Sequence, residues 1–366
     1  MSALSEATAA VNAALDSLPA STASFDESER TAALAACQRL KESLQSTREA
    51  CFDIAFVAQK PAAVRIGMGM GIFNTMAAAR GAATTANELS EKTGVEALMI
   101  DGSPMSYALT HVGGHEEAIV KLPVYLESTD YATPSDAFHG PWQYAMQTDL
   151  HHFDWLKTKP KLQAAFNNVM GMRRAGRGEE WFDFYPVAEK LRVEKPDDVL
   201  LIDIGGGRGH DLVDFHRRHS NLPGKLILQD LPTAIDDINE PLPSSIEAQR
   251  HDFFTPQPVK GAKAYYLRTV LHDWPDKQAL QILRNVREAM CKGSVLLVNE
   301  NCLRDRDVPL FEAQMDFTMM VLFASLERTE VQWRKLLGEA GFRVTGVYRP
   351  RVVMVGSGTL FEAVAA

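Results

Sequence analysis

The chain has 366 residues, 46% of them hydrophobic, and its Lys+Arg 38 against Asp+Glu 47 give a formal net charge of -9. That length and apolar content suggest about two domains with cores of their own, and the acidic balance argues against an extended phosphate backbone as partner. Cys37, Cys51, Cys291 and Cys302 show neither C-x-x-C spacing nor a metal framework, as expected of reduced thiols in a cytoplasmic protein. No basic stretch followed by an apolar core opens the chain, and no apolar run approaches a membrane span.

In chain order, residues 1–24 are rich in Ala and Ser with little bulk, and read as a frayed or partner-docked segment. Ala33, Leu34, Cys37, Leu40 and Leu44 then recur at helical spacing and predict an amphipathic helix. A second apolar helix is expected over 47–59, before Pro61. Residues 64–79 carry Ile66, Met68, Met70, Ile72, Phe73 and Met76, more apolar surface than one exposed face requires. They read as a buried core helix or as a dimer interface. Thr85-Ala-Asn-Glu88 is a capping box with Gly94 as the matching stop, which predicts a short helix over 87–93. His151 and His152 are adjacent, but consecutive side chains do not share a helix face and no third ligand is spaced to help, so the pair speaks against a metal site. Lys159-Pro160 opens a further helix. On it, Phe166 and Met170 are core residues or walls of a pocket for a flat apolar substrate.

From about residue 199 the pattern changes to strand and helix in alternation. Strands are expected over 199–204, 225–229, 264–267 and 294–299, with two last strands over 343–348 and 358–363; the alternation predicts a parallel, doubly wound sheet. In Asp203-Ile-Gly205-Gly-Gly207-Arg-Gly209 an apolar strand breaks into glycines and resumes as a helix, the arrangement that brings a ligand close to bare backbone and unpaired helix N–H groups. The dinucleotide fingerprint G-x-G-x-x-G would need Gly or Ala at position 210, where His210 stands. Asp230 closes the next strand at the spacing of a ribose-binding acid. Together these read as an adenosine site without a pyrophosphate clamp.

The remaining strand ends carry His272-Asp273-Trp274 and Glu300. A phenol, with a pKa near 10, is only about a thousandth ionised at pH 7, so a neutral imidazole in reach of its hydroxyl helps form the oxyanion. His272 is the natural acceptor of that proton, and Glu300 or Glu327 could orient the ring and stabilise the imidazolium. Each carboxylate also reads as a helix cap or a salt-bridge partner.

At these residues the chain resembles the class I S-adenosylmethionine-dependent O-methyltransferases of the plant caffeate/flavonoid and fungal secondary-metabolite type. The matching pieces are Asp203 to Gly209, Gln229-Asp-Leu-Pro232, His251-Asp-Phe-Phe254, Arg268 to Pro275, Val298-Asn-Glu300 and Glu327-Arg-Thr-Glu330, in order and at the right spacing from about Phe138 onward. The resemblance implies a Rossmann-like domain over 121–366 that binds S-adenosylmethionine without a metal, and a helical, winged-helix-like dimerisation domain over 1–120, shortened near 95–106. It places Gly205 and Gly207 on the methionine portion, Asp230 on the ribose, and Asp252 with Phe253 beside the adenine. Asp203, Leu231 and Arg268 join the cofactor site. His272 becomes the base, Glu300 and Glu327 its flanking carboxylates, and Phe166, Met170, Met320 and Phe323 the pocket walls. The implied activity is methyl transfer to a hydroxyl, phenolic by expectation, of an aromatic or polyketide-like metabolite, by a homodimer.

Three other readings remain beside it: a pericyclase or isomerase that binds the cofactor without moving its methyl, a DNA-binding protein using residues 85–94, and a nicotinamide dehydrogenase. The set of His272, Glu300 and Glu327 opposes the first, the acidic balance the second and the glycine spacing the third.

Overall fold

The computed structural model describes residues 2–18, 27–46, 66–78, 86–94, 115–160, 162–163, 179–238, 241–306, 308–351 and 357–366. The chain divides into two units, Met1–Ile54 and Ala55–Ala366. In the first, α1 (Ala3–Ser17) and α2 (Glu27–Leu44) are helices. The segment expected to fray or to dock on a partner is helical over most of its length. Its alanines have the highest helix propensity of any residue, and the Ser2 side chain caps it by accepting the Ser5 N–H at 3.2 Å.

In the second unit, α3 (Ile72–Ala78) and α4 (Ala86–Thr93) come first. Residues 66–78 do not form the single helix expected of them: Gly71 takes φ +71 and divides the run. Ile66, Met70 and Ile72 are buried, while Met68 and Met76 are exposed. Gly94 takes φ +75 and stops α4 as its position predicted. The helix expected over 47–59, the shortened stretch 95–106, Phe166 and Met170 all lie outside the described residues. Next come α5 (His115–Ser128), α6 (Pro141–Met146), α7 (His152–Lys157) and α8 (Trp181–Phe184).

The sheet is built from β1 (Val199–Ile204), β2 (Lys225–Asp230), β3 (Ile246–Arg250), β4 (Ala264–Arg268), β5 (Val295–Glu300), β8 (Phe342–Tyr348) and β9 (Thr359–Ala365). Between them lie α9 (His210–Arg218), α10 (Asp276–Arg287), α11 (Leu310–Phe323) and α12 (Glu330–Glu339). A two-stranded ladder of β6 (Cys302–Leu303) and β7 (Arg328–Thr329) stands apart. The strand order is β3-β2-β1-β4-β5-β9-β8. The first five strands run parallel, and β9 pairs antiparallel with both β5 and β8. The expected parallel, doubly wound sheet is therefore present, with an antiparallel edge. β3 carries no apolar run by which sequence would reveal it: its Ile-Glu-Ala-Gln-Arg has a single buried hydrophobic, Ile246, because an edge strand needs none.

Alternation along the strands divides the core between the two faces of the sheet. Ile202, Ile204, Tyr265 and Leu267 pack with Ile282, Leu283, Trp333 and Leu337 on one side. Leu201, Tyr266 and Leu297 pack with Trp181, Phe182 and Phe215 on the other. Each fully buried Leu or Ile contributes roughly 1.5–3 kcal/mol. These two layers hold the strand ends, and so the site, in fixed register.

A candidate active site where the strand order reverses

β1 and β4 are neighbours, with Ile204 opposite Leu267, while the chain passes outward from β1 to β2 and β3 before returning to β4 and β5. Ligands of open α/β sheets bind in the crevice at such a reversal. Gly205 opens the turn after β1 with φ +73, and a Cβ there would lie 2.8 Å from Val270 Cγ2 and 3.7 Å from the Phe253 ring. Val270 stands two residues before His272, so the glycine turn touches the segment that carries this histidine. Gly207 takes φ +61 and nothing lies within 4 Å of where its Cβ would be; this leaves bare backbone for a ligand to approach.

Asp230, at the end of β2, faces that turn. Its Oδ2 accepts the Gly207 N–H at 2.8 Å and its Oδ1 the Leu231 N–H at 2.7 Å. Burial raises its pKa, against the pull of those two N–H groups and of the Lys157 charge at the end of α7. Bare turn, carboxylate and the half-buried Phe253 ring fit the adenosyl ligand that the sequence implies. Asp230→Ala should then weaken S-adenosylmethionine binding by roughly 10–100-fold, the worth of a hydrogen bond to a charged group. Titration calorimetry checks this, and undiminished affinity would remove Asp230 from the site.

The other residues expected at the cofactor fall in different places. Asp203 is 1% exposed in β1, under Gly206. Asp252 is exposed, and its Oδ1 accepts the Phe254 N–H at 2.9 Å, fixing the loop that presents Phe253. Arg268 faces α9 and α8: its Nη1 lies 2.8 Å from Asp211 and 3.0 Å from Glu180. Asp211 in turn accepts from the Tyr266 hydroxyl at 3.1 Å. Arg268 thereby ties down the first turn of the helix that follows the glycines.

His272 lies in a single turn of 3-10 helix, Leu271–Asp273, and is 5% exposed. Its Nδ1 is 3.0 Å from Glu327 Oε1. Because a carboxylate only accepts, Nδ1 carries the hydrogen of the neutral ring and Nε2 is its basic nitrogen; Asp273 Oδ1 stands 3.5 Å from it. Burial alone would pull the ring's pKa down, but the charges of Glu327, Asp273 and Glu300 outweigh it and push the pKa up to about 10. Glu300 is fully buried, and its Oε1 accepts the N–H groups of Val270 at 3.0 Å and Leu271 at 2.8 Å. It therefore fixes the loop on which His272 sits. Burial drives Glu300 upward, to about 7, against the attraction of His272.

The support around this set was not foreseen from sequence. Asn301 donates to Glu327 Oε1 at 2.8 Å, and the buried Asp316 accepts the Glu327 N–H at 2.8 Å. Arg328, 1% exposed, donates to the carbonyls of Leu271 at 3.0 Å and Trp274 at 2.9 Å and pairs with Asp276 at 2.7 Å. It clamps the turn on both sides of His272. The motif Glu327-Arg-Thr-Glu330 contained the signal, an Arg beside a candidate catalytic acid, without saying what it would hold.

α11 packs on α5, α6 and the His272 turn. Met320 and Phe323, the expected pocket walls that can be placed, lie in its last turns and are buried. The Phe323 ring lies 5.7 Å from His151, 5.3 Å from His152 and 5.1 Å from Phe153. Among the described residues no group of three His, Cys, Asp or Glu is placed to hold a metal, and no helix is long and apolar enough to cross a membrane.

Comparison with known proteins agrees with this geometry. The family model of the O-methyltransferase domain matches residues 140–343. Methyltransferase cfoC of Aspergillus candidus is 31% identical over 351 residues, 86% of this chain and 86% of its own length. O-methyltransferase asqD of Emericella nidulans is 40% identical over 232 residues, 62% of this chain, and the matched region spans only 59% of that relative. Among solved structures, a pericyclic reaction enzyme has a TM-score of 0.63 at 27% identity, covering 99% of this chain and 100% of that one. OxaC in complex with SAH and oxaline has a TM-score of 0.63 at 25% identity, covering 97% of each chain. A glycine turn facing a strand-end carboxylate, a histidine held by a buried glutamate beside it, and these relatives agree: the chain belongs to the S-adenosylmethionine-dependent O-methyltransferases, with the class I Rossmann-like fold.

Proposed function

We propose that the protein methylates a hydroxyl, phenolic in the reading we favour, on an aromatic or polyketide-like small molecule, with His272 as the general base. The observation that carries this is the buried His272–Glu327 pair, whose histidine sits on the loop that abuts Gly205. Bound S-adenosylmethionine supplies the activated methyl group. The chain supplies the rest: the glycine turn and Asp230 position the cofactor, Phe323 and Met320 wall an apolar space, and His272 Nε2 takes the hydroxyl proton. Glu327 holds the ring in the productive tautomer and balances the charge it gains, while Glu300 pins the loop. Positioning and deprotonation are what such a displacement asks of a protein.

The same reading pairs two copies through the helical part, residues 1–120, of a cytoplasmic enzyme whose catalytic part is 121–366. The exposed Leu34, Leu40 and Leu44 of α2 are apolar surface that such pairing would cover. A second reading, cofactor-assisted isomerisation, is favoured by the likeness to the pericyclic reaction enzyme.

Product mass separates the two. Purified protein, S-adenosylmethionine with a labelled methyl group, and a panel of phenols should give products heavier by one labelled methyl. Products of unchanged mass would reject methyl transfer in favour of isomerisation.

A further inference from the structure

His151 has no part in the mechanism above, yet it is built as tightly as His272. It is 3% exposed and its ring lies between two others: Trp274 at 4.5 Å and 12°, and Phe323 at 5.7 Å and 27°. Phe138 and Phe153 close the sides at 5.7 Å and 5.3 Å. The ring also caps α7, its Nδ1 accepting the Phe153 N–H at 3.4 Å. Nδ1 is therefore unprotonated and the hydrogen sits on Nε2. Burial lowers its pKa to about 4, so the ring stays neutral. That Nε2–H is buried and has no hydrogen-bond partner among the described residues.

An orphaned buried donor is costly and rare, and a ligand is one thing that completes it. The surroundings say which ligand. Trp274 lies two residues beyond His272, and Phe323 is a wall of the proposed acceptor space. The far end of α7 bears Lys157, close enough to Asp230 for its charge to be felt there. The donor thus sits among the elements that frame the crevice, in an aromatic box whose low polarity disfavours a charged group.

We infer that His151 is a specificity-determining residue whose Nε2–H donates to a neutral oxygen, carbonyl or ether, on the flat aromatic acceptor. This rests on the aromatic-acceptor reading above. A site built to hydrogen-bond an oxygen rejects the analogue that lacks it, because its own polar group is then left unpaired. The imidazole is chosen over a lysine or arginine for the same reason: it offers one donor without a charge to bury.

The test uses two probes of equal size, a hydroxyanthraquinone and the matching hydroxyanthracene, bound to the full chain saturated with S-adenosylhomocysteine. The wild type should prefer the quinone by about tenfold or more, one buried hydrogen bond. His151→Phe, which keeps the aromatic stack, should erase that preference while leaving affinity for S-adenosylhomocysteine unchanged. His151→Gln, which keeps an N–H near the same place, should restore part of it and so distinguish lost donation from damaged packing. A preference that survives in His151→Phe overturns the inference. So does a wild type that binds or refuses both probes alike, or a His151→Phe variant that loses S-adenosylhomocysteine instead. Methyl transfer scored on the phenol panel keeps the two proposals apart: a wild type that transfers methyl but shows no quinone preference sinks this one alone, and a wild-type preference that His151→Phe erases, without any transfer, sinks only the proposed activity.

Discussion

Replacing His272 by alanine is expected to slow turnover by about 10²–10⁴-fold, the usual worth of a positioned general base, with little change in S-adenosylmethionine affinity. The substitution removes Nε2, the proposed acceptor of the hydroxyl proton, and leaves the glycine turn and Asp230 in place. The pH profile adds a sign. In the cofactor-free site His272 is held protonated up to about 10 by Glu327, Asp273 and Glu300, and only the neutral ring accepts a proton. A positive charge brought into the crevice opposes that proton and lowers the pKa. Single-turnover rates of the wild type should therefore rise with pH and level off below about pH 10. In His272→Ala the rise should follow the ionisation of the phenol itself. An alanine variant as fast as the wild type would remove His272 as the base.

The same shift bears on stability with a definite direction. The folded pKa of His272 lies above its ordinary 6.5, so the pairing with Glu327 stabilises the fold fully below about pH 6.5 and fades as the pH rises through about 10. The pH range that frees the base is the range that loosens its anchor.

The second large effect is expected at Arg328, which no catalytic step uses. Arg328→Ala leaves the carbonyls of Leu271 and Trp274 without their buried donor and removes the guanidinium that lies over the Trp333 ring at 5.0 Å. Its partner Asp276 is half exposed and contributes less. The two unpaired carbonyls and the lost packing should cost about 3 kcal/mol or more, a fall of roughly 6–12 °C in melting temperature for a domain of this size. Arg328→Lys should recover only part of it, because an ammonium lacks the planar fork that spans both carbonyls and a carboxylate. Thermal denaturation followed by circular dichroism measures this. An alanine variant that melts with the wild type would show that the His272 turn holds its shape without the clamp.

Most of the sheet was legible in advance because β1, β2 and β5 are each an apolar run closed by a chemically distinct residue: the glycines after β1, Asp230 at the end of β2, Glu300 at the end of β5. Strand ends on one edge of a parallel sheet must gather, so their meeting followed from the alternation alone. Gly94 as a helix stop was equally local. β3 was not legible, since an edge strand can be polar, and neither was the break at Gly71, where an apolar run gave no sign that the chain would leave the helix.

Local chemistry thus decided the elements, the adenosine-type turn and the identity of the candidate base, because propensity, strand burial and glycine geometry act over a few residues. Which groups surround that base was decided only by the tertiary structure. Glu327 reaches His272 from 55 positions away in sequence, itself held through its N–H by Asp316, and His151 comes against Trp274 from 123 positions away. Such distant partners are chosen by packing between layers, and they settle which nitrogen carries the proton, how far each pKa moves and which buried donor is left to meet a ligand.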